Sequence, residues 1–143
     1  MNRPSAAVWA SSSTCGTEFS GPLTRLAGEI REDRNALKQI MDRLDVSPAP
    51  VKAGLAWAAE KAGRFKPNGQ VRGYSPLGRL VEVEALLGGV SGKLNLWRTL
   101  QQAAPGEARL DTVQLEDLER RAEDQLARLH ELRDRAARAA FRD

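Results

Sequence analysis

The chain holds one cysteine and one histidine in 143 residues, and aromatic side chains make up only 5% of it. A lone cysteine, Cys15, excludes an intrachain disulfide framework and a cysteine-rich zinc site. A lone histidine, His130, removes the paired-histidine di-iron centre and most zinc hydrolase patterns. No stretch approaches the ~20 apolar residues of a membrane helix. Charge of one sign is lacking too. The 22 Lys and Arg stand against 19 Asp and Glu, a formal charge of +3. With acids so interleaved, this does not call for a nucleic-acid partner. The excess of Arg over Lys, with abundant Ala and Leu, reads as GC-rich coding bias and says little about function.

What is present suits one soluble domain: 41% hydrophobic and 29% charged residues, on a length sufficient for a core. Residues 1–21, "MNRPSAAVWASSSTCGTEFSG", are no secretion signal, because "AAVWA" is shorter than an h-region of ~7–15 residues. Their Ser, Thr and Gly content predicts a flexible tail. Cys15 has no His, Lys or Arg beside it in sequence to lower its pKa, so it reads as an inert thiol. The domain is then 22–143.

Helical periodicity fills that domain. Pro22 suits a first helical turn, and Leu23, Leu26, Ile30, Leu37, Ile40 and Leu44 form an apolar seam. Asp33 stands in its one gap. "SPAP", residues 47–50, ends this helix. A short alanine-rich helix follows over about 50–65, with Val51, Leu55, Ala58 and Ala62 on one face and Trp57 beside it. Ser75-Pro76 reads as an N-cap with proline at N1. From there Leu80, Val83, Leu87, Val90, Leu94 and Trp97 alternate by threes and fours to about Ala103. Asp111, with Gln114 three residues on, predicts a capping box. The last seam is Leu115, Leu118, Ala122, Leu129, Leu132, Ala136 and Ala140, interrupted by Gln125. No stretch reads as a strand.

"LLGGVSGKLNLW", residues 86–97, tempts a phosphate-loop reading. That loop needs four residues between its glycines and a Ser or Thr after the lysine. Here Gly88 and Gly92 enclose three, and Leu94 follows Lys93. The unbroken leucine seam makes the stretch a helix instead. Each glycine then costs roughly 1 kcal/mol against alanine. Val81, Ala85, Gly88 and Gly92 share a stripe opposite the seam, which predicts close approach by another backbone, with the Trp57 segment as visitor.

Three polar residues lie on or beside apolar faces: Asp33, Glu84 and Gln125. The rotation places Glu84 between seam and stripe, hence partly buried. The three admit a small-molecule or metal site. They equally admit a structural network with an Arg such as Arg34 or Arg98, retained for register. The network is preferred, because buried charge needs a partner whatever its role. No Glu-x-x-His motif of the ferritin-like metal proteins occurs, "EIRED" at 29–33 lacking the histidine. No metal ligand and no cofactor is assigned. His130, on the flank of the last seam, has no second histidine or cysteine to support catalysis. The loop 61–79 carries Lys61, Arg64, Lys66, Arg72 and Arg79 without an acid, with Phe65 and Tyr74 interleaved. Arg64, Lys66 and Arg72 are the candidate anion contacts, against a solvated connection whose arginines pair with acidic helix faces.

"LAGEIREDRNALKQIMDRL", "GLAWAAEKAGRFKPNG", "YSPLGRLVEVEAL" and "GKLNLWRTL" resemble a family of small bacterial proteins with a ferritin-like four-helix bundle. The resemblance covers about residues 22–141. It implies a fold and carries no established activity, so no catalytic residue comes with it. It also implies another long helix before "EIRED", where this chain has its Ser/Thr-rich stretch. An apolar face around Ile30 and Leu37 would then be left to associate. The expectation is an all-α, ferritin-like up-and-down bundle lacking its first helix, with a short crossing helix near 50–65. The expected function is a non-enzymatic cytoplasmic module acting through self-association, a partner helix or a small ligand. Its alternatives are a degenerate metal-carboxylate protein and weak anion or nucleic-acid binding by the basic loop. No membrane partner is expected.

Overall fold

A computed structural model describes residues 10–50, 52, 53, 56 and 75–142, with the backbone alone for 10–18. The described residues are all-α, with no strand. Helix α1 spans Ala10–Arg43, α2 spans Pro76–Ala103 and α3 spans Thr112–Ala140. The chain divides into two compact units, Met1–Leu37 and Lys38–Asp143. The division falls inside α1. The predicted 50–65 helix and its Trp57 lie outside the described residues, apart from exposed, helical Pro50, Lys52, Ala53 and Ala56.

The first unit departs from the sequence reading at its start. Residues 10–21, expected as flexible tail, are helical, and Pro22 lies inside α1 and not at its first turn. An interior proline forfeits one i→i−4 hydrogen bond at a cost of about 3 kcal/mol. The compensation is visible in burial. Phe19 is buried, and with Leu26, Asp33 and Ile40 it completes a seven-residue repeat along α1. Burial of such a stripe outweighs local propensity in setting helix bounds. Leu23, Ile30, Leu37 and Leu44, expected in the seam, are half-buried flanks of this narrower stripe.

In the second unit, α1 ends before "SPAP" is reached. Asp45 takes a positive φ of 54°. Val46 N–H donates to Met41 O at 3.0 Å and Asp45 N–H to Asp42 O at 3.3 Å. This pair of bonds is the Schellman arrangement, which normally places glycine at the left-handed position. A side chain there costs roughly 1–2 kcal/mol, less for Asp. Asp45→Gly is therefore expected to raise stability by about 0.5–1 kcal/mol after the glycine's extra unfolded-state entropy is subtracted. A higher thermal midpoint would show it. The side chain gives up only a 3.8 Å ion pair with Arg109, and exposed pairs of that kind contribute little.

Helices α2 and α3 form an antiparallel hairpin. Partner numbers fall along α3 as they rise along α2: Glu84 meets Arg133, Lys93 meets Gln125, and Arg98 meets Glu119 and Glu123. Both starts are capped as expected. Ser75 Oγ accepts from Gly78 N–H at 3.0 Å, with Pro76 at the first position. Asp111 Oδ1 accepts from Val113 and Gln114 N–H at 3.0 and 3.2 Å. The capping box is not completed, because Gln114 Oε1 accepts from Arg43 Nη2 at 2.6 Å instead. The buried seams are Val83, Leu87, Val90, Leu94 and Trp97 on α2 and Leu115, Leu118, Ala122, Leu129, Leu132 and Ala136 on α3. A short 3-10 turn, Ala104–Gly106, carries the chain out of α2.

Within the connection, Glu107 accepts two hydrogen bonds from the Arg109 guanidinium at 2.8 Å and one from its N–H at 3.1 Å. Hydrogen bonding to Arg109 draws the Glu107 carboxyl down from 4.5 to about 2. A depressed folded-state pKa adds stability above the unfolded value, lost as pH falls through the folded one. The turn is therefore expected to weaken between about pH 4.5 and pH 2. Stability profiles of the wild type and Glu107→Gln should converge across that window.

Candidate functional site

Helix α2 presents two faces of different chemistry, and the candidate site is read from that contrast. Its inner face packs on α3 and carries a polar ladder. Gln125 is 0% exposed, in the middle of the α3 seam. Its Oε1 accepts from the ammonium of half-buried Lys93. The partner is thus a lysine, not Arg34 or Arg98. Both arginines are exposed, and Arg98 serves another cluster. Its Nε donates to Glu119 Oε1 and its Nη2 to Glu123 Oε1, both at 2.7 Å. Gln101 Nε2 donates to the other Glu119 oxygen at 2.6 Å. Asn95, Arg98, Thr99, Gln101, Gln102 and Glu119 line an open groove at this end.

The electrostatics of the cluster are those of a clamp. The Arg98 side-chain bond, then that of Gln101, lower the Glu119 pKa below 4.5. The Glu119 hydrogen bond in turn raises the Arg98 pKa above its ordinary value, against a smaller effect of desolvation. Both shifts favour the charged forms. A general acid or base needs the opposite, a pKa drawn toward neutrality. The cluster therefore ties α2 to α3 through charge-assisted hydrogen bonds.

The three polar residues singled out in the sequence are not all brought together. Gln125 is buried as its place in the seam predicts. Asp33, in the other unit, is 1% exposed, again on an apolar stripe. Glu84 is the correction. It is exposed, its carboxylate 4.0 Å from Arg133 Nε. The contact between two helices is narrow, and a position about 100° from the seam centre stays in water. Glu84 is also about 13 Å along the axis from Lys93, so it does not share a site with Gln125. Among the described residues no three His, Cys, Asp or Glu side chains gather as a metal site would require. His130 is exposed. Arg64, Lys66 and Arg72 lie outside the described residues, so the basic loop has no described geometry beyond Arg79.

The outer face of α2 is its unusual feature. At about 100° per residue, Leu77, Val81, Ala85, Gly88, Gly92, Asn95, Thr99 and Ala103 fall on one stripe opposite the buried seam. All are exposed, Leu77 and Val81 by 56% and 62% of their surface. No acid or base stands among them; Glu82 and Glu84 hold the flanks. An added Cβ at Gly88, Gly89 or Gly92 would meet nothing within 4 Å among the described residues. The close crossing expected at these glycines is therefore not made by any described residue. The expected visitor, the segment around Trp57, lies outside the described residues. No protein-family model, curated protein or solved structure matches the chain.

Proposed function

We propose that this chain is a non-enzymatic helical module, cytoplasmic and ferritin-like in its bundle, that acts by association through the outer face of α2. The single observation carrying this reading is the uncharged, exposed stripe from Leu77 to Ala103. A helix packed on one side ordinarily turns charged and polar residues to water on the other. This one turns mainly leucine, valine, alanine and glycine, with Asn95 and Thr99 the only polar side chains along the stripe. Such a face suits a helix placed between two neighbours, as the inner helices of a bundle are, and exposed glycines admit a partner backbone closely. The polar ladder supports the same reading from the inner side, since a clamped hairpin presents its outer face as a rigid surface. No described helix is long and apolar enough to cross a membrane, so the face is read as one for protein.

The test is photo-crosslinking in cells expressing the full chain, with the reactive amino acid at Val81 or, as a control, at exposed Glu116 on α3. Adducts from position 81 with none from 116 support association through α2. A folded protein that forms no adduct from position 81 contradicts it.

A further inference from the structure

We propose that the C-terminal end of α3 binds the phosphate backbone of single-stranded nucleic acid through Arg135, Arg138 and Arg142, with Phe141 as a stacking platform. This site uses no residue of the α2 stripe. Acids are interleaved with the arginines of α3 only as far as Asp134. Up to that point the arginines find carboxylates nearby. Arg120 pairs with Asp117 at 2.6 Å, Arg128 with Asp124 at 2.9 Å and Arg133 with Asp134 at 3.1 Å. Residues 135–142, "RAARAAFR", hold three arginines and no acid. All three arginines are exposed, and among the described residues none of them takes part in an ion pair or a side-chain hydrogen bond. Glu131, one turn before Arg135, and Glu82, at the same level on α2, form no ion pair with them either.

Charge and shape together name the ligand. Arg135 and Arg138 are three residues apart on one face of α3, about 4.5 Å along the axis. Arg142 follows the helix end, which is held by Phe141 N–H donating to Ala137 O at 3.1 Å. The helix dipole accounts for one cation in the last turn, Arg138, and its effect falls off within that turn. Arg135 and Arg142 lie outside it. A guanidinium fork matches a pair of phosphate oxygens, so three free ones suit a polyanion carrying phosphates. Phe141 stands between Arg138 and Arg142 in the chain with 75% of its surface exposed. An aromatic ring offered to water among free cations suits a base, which stacks on it while the arginines take the phosphates. An acidic peptide would use the arginines and leave the ring without a partner. A duplex would keep its bases stacked on one another, out of reach of the ring.

The experiment follows the fluorescence anisotropy of labelled oligothymidylate and oligouridylate, each about 15 nucleotides long, as the purified full chain is added at several salt concentrations. Saturable binding is expected to either one. It should weaken about as the second power of the salt concentration, as counterion release by three arginines on a single strand requires. The triple variant Arg135→Gln, Arg138→Gln and Arg142→Gln should bind about tenfold more weakly, while Arg120→Gln, whose arginine is paired, binds as the wild type does. Phe141→Ala should weaken binding of the oligonucleotides and leave binding of inorganic polyphosphate unchanged. All these positions are exposed, and circular dichroism checks that the variants keep their helices. No saturable binding at about 50 mM salt overturns the proposal. Undiminished binding by the triple variant overturns it too, and loss on Arg64→Gln, Lys66→Gln and Arg72→Gln would then move the contact to the basic loop. Phe141→Ala binding oligonucleotides as the wild type does would reduce the site to a surface for any polyanion and overturn nucleic acid as its ligand.

Discussion

Trp97→Ala is expected to lower the unfolding free energy by about 3–5 kcal/mol, the largest loss from any single exchange in the hairpin. Among the described residues Trp97 is the largest fully buried side chain, 0% exposed, and it closes the α2 seam just before the connection. Its removal leaves a cavity in the seam between the two helices. For a domain with about 5–15 kcal/mol in total, that loss is a large share of the stability. The indole has a second property. Its Nε1 is buried with no hydrogen-bond partner among the described residues, a burden of about 1–3 kcal/mol. Trp97→Phe removes volume but also that unpaired donor, so it is expected to cost much less, about 1 kcal/mol or under. Urea unfolding of the two variants beside the wild type separates the contributions. A loss of several kcal/mol from Trp97→Phe would mean that the indole N–H is paired in solution.

Replacing Gly88, Gly89 and Gly92 together with Ala is expected to act in the opposite direction. Each exchange gains about 1 kcal/mol of helix propensity, so the triple variant should unfold about 2–3 kcal/mol harder. The gain depends on the open surroundings, since an added methyl at these positions meets no described atom within 4 Å. The measurement belongs in dilute protein, where the monomer is observed. In cells the same methyls should push a partner away and reduce the adducts formed from position 81. Stability gained alone and association lost in company would identify the glycines as kept for contact between chains.

Much of this architecture was legible in the sequence, and the exceptions have physical causes. The α2 and α3 seams read correctly because spacing by threes and fours has one geometric meaning. Ser75 and Asp111 read correctly as caps because a short polar side chain before a helix satisfies its free N–H groups. Gln125 was identifiable as the polar break in an apolar row, and it is buried. Its partner was not. Lys93 sits on α2, 32 positions away, and periodicity ranks faces without matching levels between helices. Glu84 was misplaced because a flank can be wet or dry depending on how many neighbours a helix has. Pro22 misled for a related reason. Proline at a first turn is a strong local signal, but the burial of Phe19 ahead of it is a tertiary effect. The Arg98 clamp with Glu119 and Glu123 had one visible sign, two glutamates four apart on one face of α3.

The outer face of α2 is the part of the account on which function depends, and thiol labelling reads it directly. Gly92→Cys in a Cys15→Ser background should react with iodoacetamide at the rate of an open thiol in the purified protein, and more slowly than Glu116→Cys in cells expressing the full chain. That pattern means a face exposed in the folded chain and covered by association. Slow labelling of the purified protein would contradict the account, because the chain would then be covering its own stripe. Fast labelling in cells as well would contradict it equally, leaving α2 without a partner.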